Sequence, residues 1–317
     1  MTMKTNLRYF LLAMVLLMPL GASAEESVPF LLNAAARGDT GTVRAILGSG
    51  GNANTKDKDG VTALMYAARK GNTDAARALL EKGADVNAKD NDGWTALMYA
   101  TKKDYVETVR LLLEKGADPK ARDADGWSAL GLATSSGFND VVALLIKAGV
   151  SPNARSDDGR TVLMYAAKSG QVTGVKTLLD NGADVAARDR NKLTVLMYAA
   201  REGNVDILKT LLDAGAKVDD KDDTGWTALS WAVKKNYPQA AELLLDRGAD
   251  INVKDSNEQS LLHIAVDESA RDMVALLIAR HINVKAKDTY GLTALVYAMK
   301  NGKPEIVKMI KDAGGGY

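Results

Sequence analysis

The sequence predicts an all-α solenoid of helix-turn-helix units stacked side by side, with β-turn fingers projecting from the stack. Three observations predict it. A Thr or Ser recurs every 33 residues from Thr62 to Thr293 with no insertion or deletion. A Leu and an Ala keep fixed places two and five residues beyond it, from Leu64 and Ala67 to Leu295 and Ala298. Each period also holds two short helical patterns, most of them closed by glycine, and such a period is the mark of a repeat architecture.

The chain starts on a different pattern. Lys4 and Arg8 give a positive start, Phe10 to Met18 is uninterruptedly apolar, and Ala22-Ser23-Ala24 places small residues before Glu25. This predicts a secretory signal peptide over residues 1–24, cut between Ala24 and Glu25. An uncleaved anchor is the competing reading, but the apolar run falls short of the ~20 residues a membrane span needs. No cysteine follows to be acylated. The expectation is a free, periplasmic mature chain without a membrane span, with a eukaryotic secretory route as the alternative.

The remainder, 25–317, reads as one repeat domain. Its units fall at about 28–56, 57–89, 90–122, 123–155, 156–188, 189–221, 222–254, 255–287 and 288–317. In the second unit, Thr62 is the N-cap of a short helix over 62–70, because its hydroxyl can accept from the unpaired amides of the first turn. Gly71 closes that helix in the left-handed region. A second helix follows from about Thr73 to Lys82, with Ala75, Ala76, Leu79 and Leu80 at the spacing of one apolar stripe, and Gly83 stops it. The polar run from Asp85 to Gly93 is turn chemistry for a finger. One such helix pair cannot bury its own stripe, so stacking is obligatory.

Asp90-Asn91-Asp92-Gly93-Trp94-Thr95-Ala96-Leu97-Met98-Tyr99-Ala100, closed by Gly116-Ala117-Asp118, resembles the ankyrin repeat, whose signature is D-x-x-G-x-T-P-L-H-x-A followed by G-A-D-V-N. The resemblance runs from about residue 28 to 317. It implies a binding protein whose fingers and first helices line a concave face. Some positions depart from the pattern. The signature proline is Ala63, Ala96 or Val162, and its histidine is Met65, Met98, Met164 or Met197, with only His263 kept. In the family that histidine bridges neighbouring turns, so methionine is expected to pack without those bonds. The turn glycine becomes Lys192 and Glu258, and a helix-ending glycine becomes His281. A left-handed backbone there costs on the order of 1 kcal/mol, which predicts the least regular structure in the last third.

Two columns are candidate partner-binding residues. The position after the turn glycine holds Trp94, Trp127 and Trp226, three of the four tryptophans. Tryptophan is enriched at binding hot spots, though it can equally brace a neighbouring finger. The second column, at the exposed C-terminal end of each first helix, is basic: Arg69, Lys70, Lys102, Lys103, Lys168, Arg201, Lys234, Lys235 and Lys300. Cations there complement the helix dipole, and a regular array also creates a field. Acidic fingers stand opposite, at Asp59, Asp92, Asp125, Asp157-Asp158 and Asp222-Asp223.

Other functional classes find little support. Without the signal peptide the chain carries 39 basic and 40 acidic side chains, net −1, which argues against nucleic-acid binding. Two histidines, His263 and His281, and no cysteine leave almost nothing for a catalytic triad or a thiolate metal site. The Asp90-Asn91-Asp92-Gly93 turn lacks the glutamate of a calcium loop, since residue 99 is Tyr. Gly48-Ser49-Gly50-Gly51 lacks the flanking strand and Lys-Ser/Thr of a phosphate loop. No enzyme activity, cofactor or metal is expected. The sequence reads as a monomeric periplasmic scaffold for a protein partner that presents an acidic, partly apolar patch. The alternatives are an immunity or inhibitor protein against an envelope toxin or hydrolase, and an auxiliary factor for a periplasmic stress-defence enzyme.

Overall fold

The computed structural model describes residues 24–316. The expected signal peptide, residues 1–24, lies outside the described residues apart from Ala24, where the first helix begins. Two compact units divide the chain, one ending at Ser151 and the other starting at Pro152.

The first unit contains α1 (Ala24–Arg37), α2 (Thr40–Gly48), α3 (Ala63–Arg69), α4 (Thr73–Glu81), α5 (Ala96–Thr101), α6 (Val106–Glu114), α7 (Ala129–Ser136) and α8 (Asn139–Lys147). The second contains α9 (Val162–Lys168), α10 (Val172–Asp180), α11 (Val195–Arg201), α12 (Val205–Asp213), α13 (Ala228–Lys234), α14 (Pro238–Asp246), α15 (Leu261–Asp267), α16 (Arg271–Ala279), α17 (Ala294–Lys300) and α18 (Pro304–Asp312). Within each unit odd-numbered helices pack on odd and even on even, so two helical layers run side by side. Among the described residues there is no sheet, only isolated antiparallel bridges at the finger bases, such as Lys56 with Thr62 and Arg188 with Thr194.

Local chemistry sets each boundary. Thr62 Oγ1 accepts the Met65 amide at 3.3 Å, and Thr95, Ser128, Thr161, Thr194 and Thr227 cap their helices in the same way. Gly71 then turns the chain at φ 69°. A side chain there would put its Cβ 2.8 Å from the Tyr105 ring, so the next unit's aromatic also requires a bare backbone at this point.

Packing is carried by two invariant layers. The Ala column from Ala67 to Ala298 is fully buried, which lets the first helices approach closely. On the second helices Leu79, Leu112, Leu145, Leu178, Leu211, Leu244, Leu277 and Ile310 are all 0% exposed, each worth about 2 kcal/mol in burial. The stripe of α4 differs slightly from expectation: Ala75, Ala76, Ala78 and Leu79 are buried, whereas Leu80 is half-buried.

The last third keeps its regularity. Lys192, Glu258 and His281 take φ of 59°, 58° and 62°, and Asp104, Asn236 and Ser269 are left-handed too. Their turns still close, with the amides of Lys192, Glu258 and His281 each 3.0 Å from the carbonyls of Asp189, Asp255 and Ile278. Helices α15, α16, α17 and α18 keep the alternating seven- and nine-residue lengths of α9 to α14. The left-handed conformation is confined to single residues in the turns and leaves the helices that follow regular.

Candidate functional site

Five fingers are tied to their own first helix by an aspartate. Asp90 Oδ1 accepts the amides of Asp92 at 3.0 Å and Trp94 at 2.8 Å, while its Oδ2 accepts the Tyr99 hydroxyl at 2.7 Å. The same arrangement joins Asp57 to Tyr66, Asp189 to Tyr198 and Asp288 to Tyr297, and Asp222 receives Trp231 Nε1 at 3.0 Å. The carboxylate thus fixes the finger backbone with one oxygen and the helix side chain with the other. Burial works to raise the Asp57 pKa, but the bonds from Tyr66, Val61 and Asp59 and the Arg69 charge outweigh it and hold it below its ordinary value. Burial, together with the bond to Asp189, pushes the Tyr198 phenol up to about 12, so it remains a donor at any physiological pH.

Neighbouring fingers are also linked within each unit. The Asn91 amide reaches the Asp59 carbonyl at 3.1 Å, Ala124 reaches Asp92 at 3.0 Å, and Ser256 reaches Thr224 at 3.1 Å. The residue after the turn glycine is therefore displayed from a backbone fixed on both sides.

The tryptophans lie against the first helix of their own unit. Trp94 meets the Tyr99 ring with centroids 5.1 Å apart, and Trp226 meets Trp231 at 4.8 Å. Trp127 sits over Gly131, where a Cβ would come within 3.3 Å of its ring. All three are half-buried, so each braces a finger while keeping part of its ring exposed. Arg160, at the same position, donates from Nε to the Tyr198 hydroxyl at 2.7 Å and pairs with Asp158 at 2.9 Å.

The basic column is less uniform than its sequence. Lys70, Lys102, Lys103, Lys168 and Lys235 are exposed and make no ion pair among the described residues. Lys234 is ion-paired with Glu268. Arg69 and Arg201, expected at an exposed helix end, are half-buried instead. Arg69 lies over the rings of Tyr66 at 4.7 Å and Tyr99 at 5.9 Å, and Arg201 over Trp231 at 4.5 Å and Tyr198 at 6.0 Å. Cation–π attraction over two faces draws them down onto the helices.

A family model described as ankyrin repeats (3 copies) matches residues 31–123, 120–189, 186–255 and 253–315. The chain belongs to the ankyrin-repeat family. No curated protein matches it. Among the described residues no cluster of His, Cys, Asp or Glu could hold a metal ion, and no helix is long and apolar enough to cross a membrane.

Methionine in place of the ankyrin-repeat histidine does more than pack. His263 Nδ1 accepts the Ser260 amide at 3.2 Å, which leaves Nε2–H to donate to the Leu292 carbonyl of the next repeat at 3.1 Å. Met65, Met164 and Met197 place Sδ at 3.3–3.4 Å from the amides of Thr62, Thr161 and Thr194. In these three repeats the thioether replaces the first histidine bond with a weaker acceptor, while the bond between repeats and the bond between Ser260 Oγ and His263 Nδ1 have no counterpart.

The aromatic partners of both columns were the missing members of the site. Tyr66, Tyr99, Tyr198 and Trp231 carry the contacts to the arginines and tryptophans. Their signal was present in the sequence as an aromatic residue recurring at the 33-residue spacing at 66, 99, 165, 198, 231 and 297.

Proposed function

We propose that this ankyrin-repeat protein is a periplasmic scaffold that takes a protein partner on its finger and first-helix face. One observation carries the reading. That face presents half-buried aromatic rings beside arginines that make no ion pair among the described residues, while Asp90 and its counterparts at the finger bases are occupied by bonds within the repeat. Aromatic rings supply the area that dominates hot spots, and the lysines raise the association rate in a salt-sensitive way. The ankyrin-repeat family generally mediates protein–protein interaction, which supports the same conclusion. The periplasmic address rests on the leader pattern of Lys4, Arg8, the apolar run and Ala22-Ser23-Ala24.

Crosslinking pull-down from periplasmic extract, with the chain from Glu25 onward as bait, tests the scaffold. A saturable protein partner is expected, released by Trp94→Ala with Trp127→Ala. If that variant loses several degrees of melting temperature yet holds the partner unchanged, the tryptophans only brace fingers and the face is wrong. Mass spectrometry of the exported protein tests the address, with Glu25 expected as the first residue. An intact Met1 terminus found only in cytosol or membrane overturns it.

A further inference from the structure

We propose that Arg69 and Arg201 are specificity-determining residues, each reading a carboxylate side chain of an acidic protein segment. The inference rests on the scaffold reading and refines it by naming what the partner must present.

The argument starts from where arginine occurs. The position at or beside the C-terminal end of the first helix, repeating every 33 residues, holds Arg69, Lys102, Ser135, Lys168, Arg201, Lys234, Asp267 and Lys300. Arginine stands there twice, and both times an aromatic residue lies three positions earlier and another at the matching place in the next repeat: Tyr66 and Tyr99, then Tyr198 and Trp231. Lys102 and Lys234 have Leu132 and Ile264 as that next residue. Lys168 is the third position with rings on both sides, Tyr165 and Tyr198, and there a different arginine reaches the site. Arg160 lies over the Tyr198 ring at 5.7 Å, but Asp158 closes it with an ion pair.

Arg69 and Arg201 are not closed. Neither makes an ion pair among the described residues, whereas many other arginines on the surface do, including Arg188, Arg247 and Arg280. The finger-base acids of these repeats are committed: Asp57, Asp90 and Asp189 to finger amides and tyrosines, and Asp222 to a finger amide and Trp231. A guanidinium held over rings loses little freedom on binding and still has N–H groups in the fork geometry that fits a carboxylate. Half-buried surroundings strengthen such a charge-assisted bond relative to one made in open water. In the first unit, exposed Lys70, Lys102 and Lys103 add a positive field around Arg69, which complements an acidic segment and not a neutral one.

Fluorescence anisotropy tests this on the whole chain with two labelled peptides, one alternating Glu and Leu and one with Gln in place of every Glu. The Glu peptide is expected to bind and the Gln peptide to bind at least about tenfold more weakly, the scale of losing charge-assisted bonds. Arg69→Lys with Arg201→Lys keeps the charge and removes the fork, and is expected to weaken the Glu peptide about tenfold or more. Lys70→Gln with Lys102→Gln and Lys103→Gln is expected to flatten the salt dependence with a smaller loss at moderate salt. Melting curves confirm that each variant is folded, and Arg69→Gln with Arg201→Gln serves if the lysine pair is not. Equal binding of the two peptides overturns the proposal, as does an arginine variant that binds like the parent. Duplex DNA or anionic lipid vesicles that bind as tightly and respond equally to Arg→Lys would overturn the assignment to an acidic protein segment. If the arginine variant still captures the periplasmic partner, the scaffold stands and the carboxylate reading falls. If the parent captures no partner while the peptides behave as expected, the scaffold reading fails and the carboxylate site stands.

Discussion

Replacing Asp90 with alanine removes the single side chain that joins a finger to its helix. Three donors lose their acceptor: the Asp92 amide, the Trp94 amide and the Tyr99 hydroxyl, at 3.0, 2.8 and 2.7 Å. At about 1 kcal/mol net for each bond, with some recovery because water reaches the finger, the loss comes to about 2–3 kcal/mol. For a unit of this size that lowers the melting temperature by roughly 10 °C. Asp90→Asn retains a carbonyl oxygen for the two amides but gives up the charge, so about half that loss is expected. Urea titration followed by far-ultraviolet circular dichroism gives the stability, and tryptophan emission reports whether Trp94 has left the Tyr99 ring. An Asp90→Ala variant within about 0.5 kcal/mol of the parent would refute the view that this carboxylate organises the finger.

His263→Met should remove a pH dependence. Burial, against the Leu292 bond and nearby acids, holds the His263 pKa below its ordinary 6.5, so the unfolded chain binds a proton that the folded one resists. Its contribution is therefore complete above pH 6.5 and declines as pH falls through that value toward the folded pKa; melting curves across that range should be flatter for the variant, and parallel curves would contradict the assignment. His281→Gly relieves a left-handed residue at φ 62° and should stabilise by about 0.5–1 kcal/mol in urea titration, with destabilisation as the opposing result. Gly131→Met should displace Trp127, because even a Cβ at that position would stand 3.3 Å from its ring; a red-shifted emission is expected, and an unchanged spectrum would mean that the ring is not seated there.

Much of the fold could be read along the sequence because its determinants are local. The Thr62 cap, the left-handed Gly71 and the Ala67 column each follow from what one residue can do within one turn. The site was less legible because its contacts are made across elements. Asp90 and Tyr99 meet only because the finger folds back over nine residues. The pair dissolves from either side: Ser156 replaces the acid while Tyr165 remains, and Leu132 and Ile264 replace the ring while Asp123 and Asp255 remain. Methionine was hidden differently. Its period marks a core residue, and nothing in an apolar pattern shows that Sδ faces an amide. The basic column misled in one respect, since charge implied exposure for Arg69 and Arg201 where the neighbouring rings keep them half-buried.

The finger carboxylate has one further consequence. Since Asp57, Asp90, Asp189, Asp222 and Asp288 set the loop backbone through amides, the side chain two residues past the tip can brace the loop without being the group that fixes its path. That place is taken by Val61 and Leu193, which are buried, by Trp94 and Trp226, which are half-buried, and by Leu292, which is exposed. One backbone form thereby carries side chains of different size and exposure. Where that side chain is half-buried or exposed, as at Trp94, Trp226 and Leu292, a point mutation can change what the finger presents while the carboxylate keeps the loop's form.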